Sequence, residues 1–254
     1  MTSHAGKVEE QFGSVAEAYL SSTVHSQGAD LVAVAERFRG ASEVAVLDLG
    51  CGAGHLSFTV APHVKSVTAY DLTSEMLDVV RQEAERRNLR NVITRQGRAD
   101  ELPFEAASYD WVCTRYSAHH WAGLPKAIAE IRRVLKPGGS FLLIDTCAPE
   151  NPLLDTHLQA IELLRDGSHL RNYTPAQWGA MLRAQGFTIE AQSLSKIATD
   201  FNAWVQRMRT PSVHVAALRS LLQNAPREVK DYYQIAEDGS FRQDSIFIEA
   251  KVPE

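Results

Sequence analysis

The chain has 254 residues, 44% of them hydrophobic and 22% charged, with a formal net charge of −5. That is enough chain for one well-buried core. Its acidic balance and scattered lysines and arginines exclude a broad electrostatic pull toward nucleic acid or anionic membrane, and no apolar run approaches the length of a bilayer span.

The three cysteines, Cys51, Cys113 and Cys147, show no paired metal spacing and read as buried reduced thiols. The polar first residues lack an apolar signal core, so the expectation is a soluble cytoplasmic protein with no membrane partner. Residues 14–39 carry helical spacing, with breaks at Ser21-Ser22-Thr23 and Gly28. Residues 43–49 are a short apolar run, the first buried strand, and glycines lead from it into a helix over 55–60. A second strand covers 66–70, and Thr73 or Ser74 caps a helix running to Asn88. Strands follow over 92–95 and 109–114. An amphipathic helix over 124–135 is stopped by Pro137-Gly138-Gly139, and a fifth strand covers 141–146. Strands alternating with helices from 43 to 147 predict right-handed βαβ units in a parallel sheet.

Past Pro149 the character changes. A helix is expected over 152–164, and another begins at Pro175 behind the cap Thr174 and ends at Gly186. A strand covers 187–194, and helices over 201–208 and 212–223 flank Thr210-Pro211 within a helical stretch that reaches Tyr233. After a turn at Asp238-Gly239, residues 240–251 alternate as a last strand.

The link after the first strand reads Val46-Leu47-Asp48-Leu49-Gly50-Cys51-Gly52-Ala53-Gly54. Glycines there allow a tight turn and close approach of backbone to ligand. His55 stands where a dinucleotide fingerprint needs its third glycine, which argues against a nicotinamide oxidoreductase, and no Lys-Ser/Thr follows as a phosphate loop requires. A ligand not held by phosphates fits better. Asp71 ends the second strand about twenty positions past the first glycine, where a carboxylate can accept the ribose hydroxyls of a nucleoside. Each feature alone reads as an ordinary turn or a helix cap, but the pair favours a nucleoside site. Beyond the fourth strand lies Arg115-Tyr116-Ser117-Ala118-His119-His120-Trp121, where an open parallel sheet meets its ligands. His119 and His120 are candidate proton acceptors, with a pocket-wall role and plain structural histidines as the alternatives.

Four blocks carry a resemblance to class I S-adenosylmethionine-dependent methyltransferases, in the broad group similar to ubiquinone/menaquinone C-methyltransferases. They are the glycine link, Ala69-Tyr70-Asp71-Leu72, the run from Gly97 through Asp100 and Phe104 to Asp110, and Arg133-Val134-Leu135-Lys136-Pro137-Gly138-Gly139. The resemblance implies an α/β fold with a Rossmann-like, seven-stranded, mostly parallel sheet, its last strand antiparallel, helices on both faces and a helical cover. It implies a single domain: a helical lid over residues 1–40, a cofactor-binding core over 41–148, and a C-terminal part with the substrate cover over 149–254.

S-adenosylmethionine is the implied cofactor and S-adenosylhomocysteine the product. Asp48, Gly50 and Gly52, with Cys51 between the glycines, line the methionine part; Asp71 holds the ribose; Leu72 and Met76 pack on adenine; the Ala99 N–H meets an adenine nitrogen. Arg115 is counted with these contacts. Arg98 stands where the family commonly places an acid for the adenine amino group, and Asp100 is the candidate replacement. The segment from Phe12 through Tyr19 to His25 resembles the part that folds over the cofactor. Tyr19, Arg171, Tyr173 and Trp204 are candidates for the substrate cover. No metal is called for.

The favoured partner is a small-molecule methyl acceptor. The Asn/Asp-Pro-Pro-aromatic run of nucleobase N-methylation is absent, since Thr114-Arg115-Tyr116-Ser117 stands in its place. A non-catalytic cofactor-binding module, and less so an RNA methyltransferase, are the other readings. Calorimetry on the purified chain should show binding of S-adenosylmethionine and S-adenosylhomocysteine and none of nicotinamide dinucleotides; the opposite pattern would remove the resemblance's implied ligand.

Overall fold

In the computed structural model, which describes residues 3–13, 15, 16, 20 and 28–254, the apolar runs become strands β1 (Ala45–Leu49), β2 (Ser66–Asp71), β3 (Val92–Gln96), β4 (Tyr109–Arg115), β5 (Leu135–Cys147), β6 (Thr188–Thr199) and β7 (Phe241–Lys251). They form one sheet in the order β3-β2-β1-β4-β5-β7-β6. The first five pair in parallel, and β7 runs antiparallel to both β5 and β6.

Side chains alternate across this sheet as a pleat requires. On one face Val46, Val67, Cys113, Leu142 and Ile144 pack under α2 (Ala29–Arg37) and α3 (His55–Val60), through Leu31, Val34, Leu56 and Val60. On the other, Leu47, Leu49, Val112, Phe141 and Leu143 meet Leu124, Ile128 and Ile131 of α5 (Leu124–Val134) and Trp178 and Leu182 of α7 (Pro175–Ala184). Each of these aliphatic side chains contributes roughly 1.5–3 kcal/mol by leaving water. Between β2 and β3 lies α4 (Ser74–Arg86), which buries Met76, Leu77 and Val80. Burial on both faces is why these strands read as continuous apolar runs.

The end of β5 and the start of β7 lie on one edge of the sheet, since β7 is antiparallel. There a second core joins α6 (Pro152–Arg165), α8 (Phe201–Arg207), α9 (Ser212–Gln223) and α10 (Arg227–Tyr233) around Leu158, Ile161, Trp204, Leu218, Leu222, Val229 and Tyr233. Ala148 and Phe241 tie this core to β5 and β7. α1 (His4–Gly13) buries none of its own residues. It is held by His4, whose Nε2 donates to the His120 carbonyl at 3.0 Å, and by Gln11, whose amide donates to the Met208 carbonyl at 2.9 Å.

Three boundaries differ from the sequence expectation. β5 begins directly at the end of α5, with Leu135 paired to Tyr109 and the register shifting before Trp111. β6 extends to Thr199 because its partner β7 pairs with it as far as Phe241, a polar edge whose sequence carries no apolar alternation. α10 is separate from α9, parted at Pro226, which cannot continue a helix it follows. Tyr19 and residues 21–25 lie outside the described residues. Among the described residues no helix is long and apolar enough to cross a membrane.

Leu158 is fully buried in the second core. Leu158→Ala should lower the unfolding free energy by roughly 2–5 kcal/mol in a denaturant titration; a near-zero loss would show that the cover helices do not share a packed core.

Candidate active site

The glycine link is shaped by β2. Its Gly50 and Cys51 N–H groups both donate to the Tyr70 carbonyl, at 2.7 and 3.1 Å. Gly50 has φ +70°, and a Cβ there would stand 1.9 Å from the Ser117 hydroxyl, so both conformation and space demand glycine. Gly52, at φ +50°, has nothing within 4 Å of where its Cβ would be, so the space beside it stays open.

Above this loop opens a cavity of about 320 Å³. Asp48, Gly50, Cys51, Gly52, Asp71, Leu72, Met76, Ala99, Asp100 and Arg115 all line it, as do Phe12, Tyr116, Ser117, His120 and Trp121. Acids form part of its wall. Asp48 is buried beneath the loop and accepts the Ser57 hydroxyl at 2.6 Å; burial pushes its carboxyl up to about 7. Asp71 accepts the Gly52 N–H at 2.8 Å and the Thr73 N–H at 2.9 Å, so it sets the loop as well as facing the cavity, and burial raises its pKa too. Leu72, Met76 and Ala99 add apolar lining to the same cavity.

Arg98 and Asp100 form a two-point ion pair at 2.9 and 3.0 Å, and that contact holds the Asp100 carboxyl below the ordinary range. The residue that departs from the family pattern thus occupies the one expected to replace it. Arg115 reaches Asp30 of α2 at 2.5 and 3.2 Å and lies 4.7 Å over the Tyr116 ring.

A second cavity, of about 420 Å³, lies against the first, and Phe12, Tyr116 and His120 line both. Its far side is the cover: Glu162 and Arg165 of α6, Asp166, the end of β6, and Ala203, Trp204 and Arg207 of α8. His119 lines this cavity and not the first. Its Nδ1 and backbone N–H meet the two oxygens of Asp145, at 2.6 and 3.1 Å, and Asp145 is itself buried at the end of β5. Burial alone would lower the His119 pKa, but the Asp145 charge and hydrogen bond, aided by Glu162 and Asp166, carry it above the ordinary histidine value.

His120 differs. Its Nδ1 donates to the Ser168 carbonyl at 3.0 Å, Phe12 packs edge-on against its ring at 5.0 Å, and burial with the His119 charge pushes it down to about 3. The His169 ring joins this group, 5.7 Å from His119, and is lowered to about 2 by burial and its neighbours. Among the described residues no group of three His, Cys, Asp or Glu is placed to hold a metal ion.

Of the expected cover residues, Trp204 lines the second cavity. Arg171 and Tyr173 line neither cavity: Arg171 pairs with Asp155 at 2.8 Å, and the Tyr173 ring packs on Trp178 at 5.6 Å, so both brace the cover from behind. Tyr19 is outside the described residues. Sequence reasoning missed Asp145, Glu162, Arg165 and Gln243. An acid at the carboxyl end of the apolar run Phe141-Leu142-Leu143-Ile144 was the available signal for Asp145.

A family model described as a methyltransferase domain matches residues 47–143, from β1 into β5. The uncharacterized protein YafE of Escherichia coli strain K12 is 42% identical over 201 residues, 79% of this chain and 97% of the relative. The uncharacterized methyltransferase YcgJ of Bacillus subtilis is 34% identical over 89% of this chain and 90% of its own length. The crystal structure of YcgJ superposes with a TM-score of 0.81, covering 88% of this chain and 98% of that one. The chain belongs to the S-adenosylmethionine-dependent methyltransferases. More distant members include a demethylmenaquinone methyltransferase of Lactococcus lactis, 29% identical over 77% of this chain and 76% of its own.

The methyltransferase match ends at residue 143, so it takes in the glycine link, Asp71 and both histidines but stops short of Asp145 and the cover. Replacing Asp71 by alanine removes the acceptor for the Gly52 and Thr73 N–H groups as well as a wall of the first cavity. Calorimetry should show S-adenosylhomocysteine binding weakened by roughly 10- to 100-fold; unchanged affinity in a folded variant would remove Asp71 from the site.

Proposed function

We propose that S-adenosylmethionine binds in the first cavity, that a small organic acceptor occupies the second, and that His119 takes the acceptor's proton as the methyl group is transferred. The observation that carries this reading is the His119–Asp145 pair on the wall of the second cavity. With Nδ1 committed to Asp145, the Nε2 nitrogen is the one left to serve an acceptor.

The residues fit such a cofactor. The open space beside Gly52, the carboxylates of Asp48 and Asp71 and the apolar lining of Leu72, Met76 and Ala99 suit a molecule with a charged amino-acid part, a ribose and a flat base. When bound, the cofactor supplies an electrophilic methyl on a sulfonium. The protein's own tasks are positional. Asp71 and the glycine loop hold the nucleoside and its tail. Phe12 and His120, at the junction of the two cavities, exclude water from the meeting point. The cover bears Trp204 as an apolar wall against the acceptor. Asp145 fixes the His119 ring and tautomer and stabilises the imidazolium that forms when the proton arrives. Relatives named for demethylmenaquinone methylation support a small organic acceptor.

His119→Ala should depress the transfer rate by roughly 10²–10⁴-fold at saturating cofactor, with S-adenosylhomocysteine affinity nearly unchanged because His119 does not line the first cavity. A base must be unprotonated, so the wild-type rate falls as pH drops through a value above that of an ordinary histidine. Asp145→Asn removes the charge that raises it, and the acidic limb should move to lower pH while the maximum rate declines. A limb that stays in place, or a His119→Ala enzyme of normal rate, would dismiss the histidine as base.

A further inference from the structure

The charges on the wall of the second cavity are unequally spent. Its carboxylates are mostly committed within the protein. Asp30 is bound to Arg115, Asp166 accepts the Ser168 N–H and hydroxyl at 2.8 and 2.6 Å, and Asp200 caps α8 through the Ala203 N–H at 2.7 Å. The ammonium of Lys196 is also taken, 3.0 Å from Asp244 and 3.8 Å over the Tyr232 ring.

Arg165 is different. Its side chain is 11% exposed. It is locked in place by Trp204, with the guanidinium 5.1 Å over the ring and Nε donating to the Trp204 carbonyl at 3.1 Å. Among the described residues the terminal N–H groups meet only Glu162, at 3.5 Å, longer than a hydrogen bond. Glu162 stands beside the fork without filling it, and burial pushes its carboxyl above the ordinary range. A guanidinium held this rigidly, largely out of water and with its fork unfilled, calls for a planar or tetrahedral oxyanion. On the same cavity wall the buried carboxamide oxygen of Gln243 has no hydrogen-bond partner among the described residues; it accepts only, so it suits an N–H or O–H on the bound molecule and not the oxyanion.

We propose that the methyl acceptor carries an oxyanionic group, a carboxylate or a phosphate, that docks on the Arg165 fork and turns the acceptor's nucleophilic atom toward His119. This rests on the reading that the second cavity receives the acceptor. Arg165 acts on binding and orientation and lies outside the first cavity, so the cofactor site is an internal control.

The experiment is calorimetry on the chain loaded with S-adenosylhomocysteine, titrated with benzoate, phenyl phosphate and benzamide. At least one of the two anions should bind roughly 10- to 100-fold tighter than the neutral amide, and the tighter anion identifies the group. Arg165→Gln should erase that preference, and Arg165→Lys, which keeps the charge without the fork, should retain part of it, both with S-adenosylhomocysteine affinity unchanged. Equal binding of amide and anions, no binding of either anion, or a preference that survives Arg165→Gln overturns the proposal. If Arg165→Gln disturbs cofactor affinity, Arg165→Lys alone decides, and a full anion preference in it overturns the fork. Failure of the wild-type chain to bind S-adenosylhomocysteine strikes instead at the cofactor reading.

Discussion

The molecule depends on the placement of β1 between β2 and β4. Chain order runs outward to β3 on one side and to β5, β7 and β6 on the other, so the connections leaving β1 and β4 diverge and open a crevice at the strands' carboxyl ends. The sheet's own contributions sit at that edge: the glycine link after β1, Asp71 at the end of β2, the histidine turn after β4 and Asp145 near the end of β5. Sheet pairing fixes their spacing. Val46, Leu47 and Asp48 are locked opposite Trp111, Val112 and Cys113, so the glycine turn and the histidine turn cannot slide relative to each other. A one-residue slip would turn Asp48 out from under the loop and bury the wrong face of the strand.

Within this frame two carboxylates act as rivets. Asp71 holds the glycine link to the end of β2, and Asp145 holds the turn after β4 to β5. Both bonds join neighbouring strands just where pairing ends and the chain would otherwise fray. Their burial is costly unless every oxygen is met, and both acids meet backbone N–H groups as well as their functional neighbours. Stability and chemistry are therefore served by the same atoms.

What was legible in the sequence was local. The glycine link announces itself because positive φ at Gly50 and the close approach of Ser117 leave one residue type possible. Asp71 follows from a fixed strand-to-strand distance, and the alternation of strands and helices gives the parallel sheet. The second cavity was legible only as the expectation that something must cover the edge. Its working parts come from far-separated stretches: Asp145 on β5, Arg165 on α6, Trp204 on α8 and Gln243 on β7. No spacing rule connects them, since only the packing of the cover onto the sheet brings them together. Arg171 and Tyr173 show the converse. An arginine and a tyrosine close in sequence to the cover looked like contact residues, yet their side chains turn to Asp155 and Trp178.

Phe12 and His120 are a partition between two rooms. A molecule seated on one side presses against a surface that the molecule on the other side also needs. Any coupling between guests in the two rooms that passes through this partition is reciprocal: a factor gained by one is gained by the other. The partition's outer half rides on α1, a helix with none of its own residues buried. That helix lends His4, Ala5, Val8 and Phe12 to the first room and Phe12 alone to the second, so its seating shapes both.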